Sequence, residues 1–169
     1  CTSNGLRTAY GLSPLDVGPE LSGGWAAHHW LGPDSMVLPI PDGLDPVDAT
    51  LFNPVGAGIR WGAELPGTGP GDVVAVLGPG IRGLAAAAAA REAGADFVVV
   101  TGKGPNDRPR LEAATAFGAD LTVDVDEEDP AVALRAATGG PGASVVVDVT
   151  ANAPEALGQA VRLSAPEAR

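Results

Sequence analysis

The sequence predicts an α/β fold: a doubly wound parallel sheet that follows a remnant of a β-rich domain. From residue 73 onward, short apolar runs alternate with helical segments in the order βαβαβαβα, and this alternation specifies a parallel sheet. Residues 1–45 instead contain many Gly and Pro residues and few helical patterns. We therefore expect a division into residues 1–45 and residues 46–169, with four strands in the second part.

Composition limits the classes of function. The chain has 169 residues, of which 45% are hydrophobic but only 4% aromatic, so we expect a core of Ala, Val and Leu. The formal net charge of −11 makes nucleic acid and anionic membrane surfaces poor partners. No apolar run approaches the roughly 18 residues of a membrane span, and no signal peptide is visible. We therefore expect a cytoplasmic protein.

The first part of the chain offers little chemistry. Two runs, residues 24–31 and 36–40, are strand-like. The neighbouring His28 and His29 suggest a metal site, but adjacent side chains of a strand point to opposite faces, which favours a structural role. Cys1 is the single cysteine, so an internal disulfide is excluded.

A helix is expected next, at the start of the second part. Asp45 is a suitable N-cap, and Pro46 suits the first helical position. Apolar residues continue this helix to Ile59, and Trp61 and Leu65 extend its apolar side. Pro54 is expected to kink it. A loop rich in Pro and Gly at residues 66–72 then leads to the first strand.

The most informative stretch contains a strand, a glycine turn, a helix and a second strand. The strand Val73–Leu77 runs directly into Gly-Pro-Gly-Ile-Arg-Gly at residues 78–83. An alanine-rich helix follows and ends at Gly94, and a second apolar run covers residues 97–100. This is the order and length of a dinucleotide-binding βαβ unit. A glycine turn alone is a weak signal, but here both strands and the helix accompany it.

The residues of this turn have distinct expected roles. Gly78 lets the chain leave the strand sharply, Gly80 leaves room for a pyrophosphate, and Gly83 lets the helix approach the strand. The free N–H groups of the helix face the phosphates. Arg82 either reaches the same anion or points to solvent. The candidate cofactor-binding residues of the turn are Gly78, Pro79, Gly80, Ile81, Arg82 and Gly83.

The end of the second strand predicts the type of cofactor. An NAD site needs a carboxylate there, because it accepts hydrogen bonds from the ribose 2′-hydroxyl. Gly102 occupies this position, directly after Thr101. Basic residues follow at Lys103, Arg108 and Arg110. With no carboxylate to repel a 2′-phosphate and with cations to attract it, we predict NADP(H) in preference to NAD(H), which is the alternative.

Three helices and two strands complete the expected sheet. Their expected positions are a helix at about 108–117 ended by Gly118, a strand at 121–123, a helix at about 130–137 ended by Gly139, a strand at 144–149 and a helix at about 154–163. The last strand is apolar apart from Ser144 and Asp148, as expected for a strand covered on both faces. Val149 and Thr150, at its end, are the last residues expected near the cofactor.

Seven short stretches give the chain a resemblance to a known family. The matching residues are 23–26 (GGWA), 38–44 (LPIPDGL), 48–54 (DATLFNP), 70–80 (PGDVVAVLGPG), 117–120 (FGAD), 138–140 (TGG) and 145–148 (VVVD). Their order and spacing resemble the medium-chain dehydrogenase/reductase superfamily, specifically its zinc-type alcohol and polyol dehydrogenases, over nearly the whole chain. The resemblance does not specify a substrate.

The resemblance implies two domains with different tasks. Residues 1–45 correspond to the end of a GroES-like domain, which in this family holds a catalytic zinc. Residues 46–169 correspond to a Rossmann domain, which holds the nicotinamide cofactor and would continue into its fifth and sixth strands after Leu163. The zinc polarises the alcohol oxygen, so that hydride can leave for the nicotinamide.

The same resemblance implies that this chain has neither a catalytic residue nor a metal ligand of its own. The family's first zinc ligands lie upstream of residue 1. Asn53 matches a position that often supplies a ligand, but a neutral amide is a poor one, so Asn53 is at most a hydrogen-bonding or water-holding group. Cys1 resembles the last cysteine of the family's structural zinc lobe, and one thiolate cannot hold that zinc.

Three interpretations follow for the function. The leading one is a cofactor-binding fragment of an NAD(P)-dependent zinc-type alcohol or polyol dehydrogenase. The second is a non-catalytic dinucleotide-binding or interaction remnant, and the third is a zinc-independent member that resembles quinone reductases. The expected partners are the nicotinamide dinucleotide, a small alcohol in the full-length enzyme, and further copies of the chain, because an unpaired sheet edge favours association.

Overall fold

The computed structural model describes residues 24–33 and 35–169. The chain divides into two compact units, Cys1–Gly43 and Leu44–Arg169. The strand-like runs at 24–31 and 36–40 were predicted wrongly, because their residues form bends and irregular chain. A strand needs a neighbour for its hydrogen bonds, and the described sheet ladders include neither run. The predictions for Cys1 lie outside the described residues.

The second unit begins with two short helices where one was predicted. Helix α1 spans Pro46–Ala49, and the Asp45 carboxylate caps it by accepting a hydrogen bond from the Val47 N–H at 2.7 Å. Helix α2 spans Phe52–Ile59. The predicted kink at Pro54 is therefore a complete break at residues 50–51. Proline cannot bond to the carbonyl four residues earlier and its ring conflicts with that carbonyl, so the helix restarts with Pro54 in its first turn.

A π-helical turn, Arg60–Glu64, continues α2. The apolar pattern predicted that the helix extends past Ile59, but not the π-helical geometry. The Leu65 N–H bonds to the Arg60 carbonyl across five residues at 2.9 Å, and the Thr68 N–H bonds in the same way to Ala63 at 3.0 Å. The Thr68 hydroxyl donates to the Gly62 carbonyl at 2.7 Å. The wide turn therefore has hydrogen-bond partners for its carbonyls, as buried backbone groups require.

Four parallel strands form the sheet, which confirms the predicted α/β fold. They are β1 (Val73–Leu77), β2 (Phe97–Gly102), β3 (Leu121–Asp124) and β4 (Val145–Asp148), in the order β3-β2-β1-β4. In the centre of the sheet, Val76 of β1 lies beside Val100 of β2 and Val147 of β4. The strand β2 extends two residues further than predicted, because β1 and β3 both continue to pair with it there.

Helices connect these strands on both faces of the sheet. They are α3 (Ile81–Glu92), α4 (Arg108–Ala114) with a 3-10 turn at Thr115–Phe117, α5 (Pro130–Thr138) and α6 (Ala156–Leu163). The helical segments predicted after β2 and β3 are confirmed, and Gly118 and Gly139 end them in the left-handed conformation as expected. No described helix is long and apolar enough to span a membrane.

The core has two layers, one on each face of the sheet. Helices α3 and α4 cover one face, where Ala87, Ala114 and Val76 of β1 belong to one buried cluster. Helices α5 and α6 cover the other, where Leu134, Leu163 and Leu77 belong to a second cluster. All buried hydrophobic residues of the described chain are Ala, Val or Leu, as the composition predicted. The small residues of α3 let that helix lie close to the sheet, which positions its amino end above β1.

A polar cluster joins the amino ends of β1 and β4. Asp72, which is buried, accepts hydrogen bonds from the Ser144 hydroxyl at 2.7 Å and from the Gly69 N–H at 2.9 Å, and it pairs with the Arg169 guanidinium. Burial by itself raises the pKa of the Asp72 carboxyl, but the three donors outweigh burial and hold that pKa below its usual value. The cluster fixes the end of the sheet that lies opposite the candidate site.

Candidate functional site

A cavity of about 530 Å³ opens at the carboxyl ends of β1, β2 and β4. The chain moves from β1 to one side for β2 and β3, and β4 lies on the other side of β1. Such a change of direction leaves a crevice where ligands bind in open α/β sheets. The lining residues are Gly78, Pro79, Gly80, Thr101, Gly102, Lys103, Asp107, Arg110, Val125, Val149, Thr150, Ala151, Asn152, Ala153, Glu155, Ala156 and Gln159.

The three glycines of the turn occupy different environments. Gly78 has a positive φ of 99°, which favours glycine, and its N–H bonds to the Thr101 carbonyl at 3.0 Å. A Cβ on Gly83 would overlap the Gly78 carbonyl oxygen, so this position accepts no side chain. A Cβ on Gly80 would meet nothing within 4 Å. Only Gly80 therefore combines an open approach with a place in the cavity wall.

Helix α3 begins at this cavity. Gly80 is its N-cap and supplies no side-chain cap, so the first N–H groups of the helix are available to an anion. Ile81, Arg82 and Gly83 lie in the first turn but do not line the cavity. The Arg82 guanidinium instead donates to the Asn53 side-chain oxygen at 3.3 Å, which joins α3 to the start of α2.

The carboxyl end of β2 is more crowded than its sequence suggests. Thr101 is buried. A Cβ on Gly102 would lie 2.9 Å from the Pro79 ring and 3.0 Å from the Asp107 Cβ. Neighbouring side chains therefore occupy the space beside residue 102. One of them, Asp107, also brings a carboxylate to the cavity wall. Asp107 was not predicted from the sequence, because only the residues at the strand end were considered. The position of Asp107 directly before the helix Arg108–Ala114 was a signal that could have indicated it.

Both cations that line the cavity, within the residues that the structure describes, already have carboxylate partners. Lys103 Nζ lies 3.1 Å from Glu155 Oε1, and an Arg110 guanidinium nitrogen lies 2.9 Å from Asp107 Oδ1. The Glu155 carboxylate, first by its hydrogen bond and then by its charge, raises the pKa of the Lys103 ammonium. Arg108, also a predicted cofactor residue, lies outside the cavity wall and pairs with Glu127 at 2.7 Å.

The loop after β4 closes the cavity on its other side. Val149 and Thr150, both predicted to lie near the cofactor, line the cavity, and Thr150 lies against Gly78. Asp148 holds this loop by accepting hydrogen bonds from the Thr150 N–H at 2.9 Å and hydroxyl at 2.7 Å. Six further lining residues come from this loop and helix α6, all of them beyond Thr150, the last residue expected near the cofactor. They are Ala151, Asn152, Ala153, Glu155, Ala156 and Gln159.

The donor groups fit a nucleotide and do not fit a zinc ion. Open space beside Gly80, free N–H groups and polar groups at both sides of the cavity suit a phosphate and a ribose. In the described part of the chain, no group of three or more His, Cys, Asp or Glu residues is placed to hold a metal ion. The Asn53 side-chain oxygen already accepts a hydrogen bond from Arg82, and a neutral amide is a poor zinc ligand.

Comparisons with known proteins agree with this geometry. The family model described as zinc-binding dehydrogenase matches residues 83–169, just over half of the chain. A protein of Mycobacterium tuberculosis H37Rv assigned as an alcohol dehydrogenase is 60% identical over 166 residues, which cover 98% of this chain and 45% of that protein. Sorbitol dehydrogenase of Bacillus subtilis is 34% identical over 143 residues, or 85% of this chain and 39% of that protein.

Solved structures lead to the same group of proteins. An alcohol dehydrogenase of Thermotoga maritima aligns with a TM-score of 0.78 at 29% identity, over 94% of this chain and 44% of that one. A Sinorhizobium meliloti protein assigned as a zinc-binding dehydrogenase, solved with NADP bound, aligns with a TM-score of 0.66 at 32% identity, over 76% of this chain and 37% of that one. The chain thus spans about half the length, or less, of the relatives it matches.

Proposed function

Because this chain belongs to the zinc-binding dehydrogenase family, we propose that it binds the nicotinamide dinucleotide of such an enzyme. The observation that carries the proposal is the glycine turn at the cavity. Gly83 has no room for a side chain, which brings α3 against β1, and Gly80 leaves the space in front of the helix open. The N–H groups of α3 then bind the pyrophosphate, and the ribose of the adenosine half lies near Gly102.

In the whole protein we propose hydride transfer between an alcohol and the nicotinamide. The bound cofactor supplies the hydride acceptor or donor, and this chain supplies the cavity that positions it. We assign residues 1–45 to the end of a GroES-like domain and residues 46–169 to the Rossmann domain. Catalytic zinc would be held by residues outside this chain. A cytoplasmic location, where nicotinamide cofactors are reduced and oxidised, belongs to the same proposal.

We further propose that the phosphorylated cofactor, NADP(H), binds more tightly than NAD(H). Gly102 brings no carboxylate of its own to the ribose, and Pro79 and Asp107 leave no room for a side chain at residue 102. The Asp107 carboxylate in the nearby wall is already paired with Arg110. Lys103 and Arg110 both line the cavity near this position, and cations with exposed ends suit a 2′-phosphate. The Sinorhizobium meliloti relative, solved with NADP, supports the choice by similarity.

Self-association is part of the proposal. β3 and β4 are the edge strands of the described sheet, and α2 exposes the apolar side chains of Phe52, Val55 and Ile59. Unpaired edges and exposed apolar patches both favour association. A dimer or larger assembly that persists on dilution in size-exclusion chromatography supports this part, and a monomer at every concentration contradicts it.

Dissociation constants for NADPH and NADH test the proposed function. We expect both cofactors to bind the purified chain, with NADPH the tighter ligand by about tenfold, the contribution of one charge-assisted pair. Calorimetric titration measures both constants directly. Binding of neither cofactor contradicts the dinucleotide site, whereas tighter binding of NADH contradicts only the choice of the phosphorylated form.

A further inference from the structure

The two ion pairs of the cavity differ in how firmly they are held. Asp107 accepts hydrogen bonds from the Lys103 N–H at 3.0 Å and from Arg110 at 2.9 Å, and its Cβ lies 3.0 Å from where a Cβ on residue 102 would be. Its side chain is 22% exposed. The Asp107 carboxylate is therefore part of the fixed wall of the cavity.

Glu155 is held more loosely. It precedes α6, and its carboxylate reaches Lys103, 52 residues earlier in the chain, at 3.1 Å. The Glu155 side chain is 47% exposed and that of Lys103 is 58% exposed. Exposed ion pairs contribute little to stability and exchange readily with solvent. Lys103 can therefore give up Glu155 for another anion, and Glu155 can turn into water.

A ligand with a 2′-phosphate must compete with Glu155, whereas a ligand with a 2′-hydroxyl need not. The phosphate takes Lys103 only by displacing the carboxylate, and the displaced carboxylate then stands near a second anion in the same cavity. Like charges at short distance repel. An unphosphorylated ribose brings no charge, so the pair between Lys103 and Glu155 can remain intact.

We propose that Glu155 is a specificity-determining residue that limits the preference for the phosphorylated cofactor. The inference rests on the proposed function, because it requires the ribose to lie near Gly102 and Lys103. Glu155 acts through Lys103 and is a positioning residue: it occupies the cation when the 2′-phosphate is absent and opposes that phosphate when it arrives. Specificity here comes from a repulsive group as well as an attractive one.

The test is the substitution Glu155→Gln, which keeps the shape of the side chain and removes its charge. The ligands are 2′,5′-ADP and 5′-AMP, which differ in the 2′-phosphate alone, titrated calorimetrically into the 169-residue chain at low salt. We expect Glu155→Gln to tighten 2′,5′-ADP about three- to tenfold, as one exposed charge contact allows, and to leave 5′-AMP unchanged.

Two further variants separate this role from a structural one. Glu64→Gln removes a carboxylate from another exposed pair, with Arg60 at 3.1 Å, that does not line the cavity, and we expect it to change neither ligand. Lys103→Met combined with Glu155→Gln should abolish the gain for 2′,5′-ADP. Each of these results supports competition for Lys103.

Other results overturn the inference. An equal change for both ligands shows that Glu155 only ties the loop after β2 to α6, and a gain that survives Lys103→Met shows that Lys103 is not the shared partner. An unchanged ratio in Glu155→Gln also excludes the competition. If neither ligand binds the parent chain, the proposed dinucleotide site itself is contradicted. If both ligands bind and their ratio is unchanged in Glu155→Gln, only this inference fails.

Discussion

Glycine serves different purposes in two regions of this chain. In the turn after β1, Gly80 faces open space, and a Cβ there would meet nothing within 4 Å. In the seam between α2 and α3, a Cβ on Gly58 would lie 2.5 Å from the Ala85 Cβ, and one on Gly62 would lie 2.9 Å from the Ala86 Cα. Open space at a cavity provides room for a ligand, whereas the seam is closed by packing. Substitutions of glycine in the turn therefore test ligand binding, whereas substitutions of glycine in the seam test stability.

The seam gives the largest expected effect on stability. Gly62→Ala forces a methyl group into the Ala86 backbone, so we expect a loss of about 3 kcal/mol in the free energy of unfolding, in the range of severe overpacking. Urea denaturation followed by circular dichroism measures it. Gly56→Ala in α2 is the matched control, because a Cβ there meets nothing within 4 Å, and we expect a change between zero and a gain of about 1 kcal/mol. Equal stabilities of the two variants would show that α2 does not pack on α3 in this way.

The polar cluster at Asp72 gives an intermediate effect that depends on pH. Asp72→Asn removes a carboxylate with three donors, and we expect a loss of about 2 kcal/mol at neutral pH. Because folding lowers the pKa of Asp72, its contribution is present above the unfolded pKa and is lost as pH falls through the lower, folded pKa. The stabilities of the parent and the variant should therefore converge in acid.

Denaturation of both proteins between neutral and acidic pH checks this expectation. Asp96→Asn is the control, because Asp96 is exposed and accepts one hydrogen bond, from the Gly71 N–H at 3.0 Å, so a smaller loss is expected. A constant difference between parent and Asp72→Asn across the whole pH range would mean that the ionised carboxylate does not stabilise the fold.

The turn gives the smallest effect on stability and the clearest effect on binding. Gly80→Val places a branched side chain in open space but at the N-cap of α3, so we expect a loss in the free energy of unfolding of no more than about 1 kcal/mol. The same side chain obstructs the pyrophosphate, so the dissociation constant for NADPH should rise at least about tenfold. Gly83→Ala is the exception within the turn: its Cβ would overlap the Gly78 carbonyl oxygen, so it should lower both the free energy of unfolding, as Gly62→Ala does, and the affinity for NADPH. A Gly80→Val chain with parental affinity would remove the turn from the proposed site.

Local sequence patterns predicted the strands and most of the helices. The features that were not predicted depend on contacts between residues far apart in the sequence. The bounds of β1 and the Ala, Val and Leu core were predicted, because both depend on short runs of apolar residues. Gly58 and Gly62 are poor helix residues by propensity, and the packing of Ala85 and Ala86 against them explains why glycine is needed there. The π-helical turn was missed for the same reason, since its partner Thr68 lies beyond the helix.

The candidate site was predicted in the same partial way. The glycine turn is itself a recognisable motif, and the end of β2 follows it at the spacing known for dinucleotide-binding units. Both could therefore be predicted. The pair between Lys103 and Glu155 spans 52 residues, and no local pattern indicates that these side chains meet. Its existence follows from the strand order, which places the ends of β2 and β4 on either side of β1.

The core of Ala, Val and Leu has a consequence for spectroscopy. The three tryptophans are Trp25, Trp30 and Trp61, and all three side chains are exposed at least in part, so no indole ring lies within the sheet. Tryptophan emission therefore follows the surroundings of Trp25 and Trp30 in the first unit and of Trp61 beside α2 in the second, whereas far-ultraviolet circular dichroism follows the sheet and its helices. Melting curves recorded with both signals on one sample thus compare the surroundings of the three indole rings with a sheet that contains none of them.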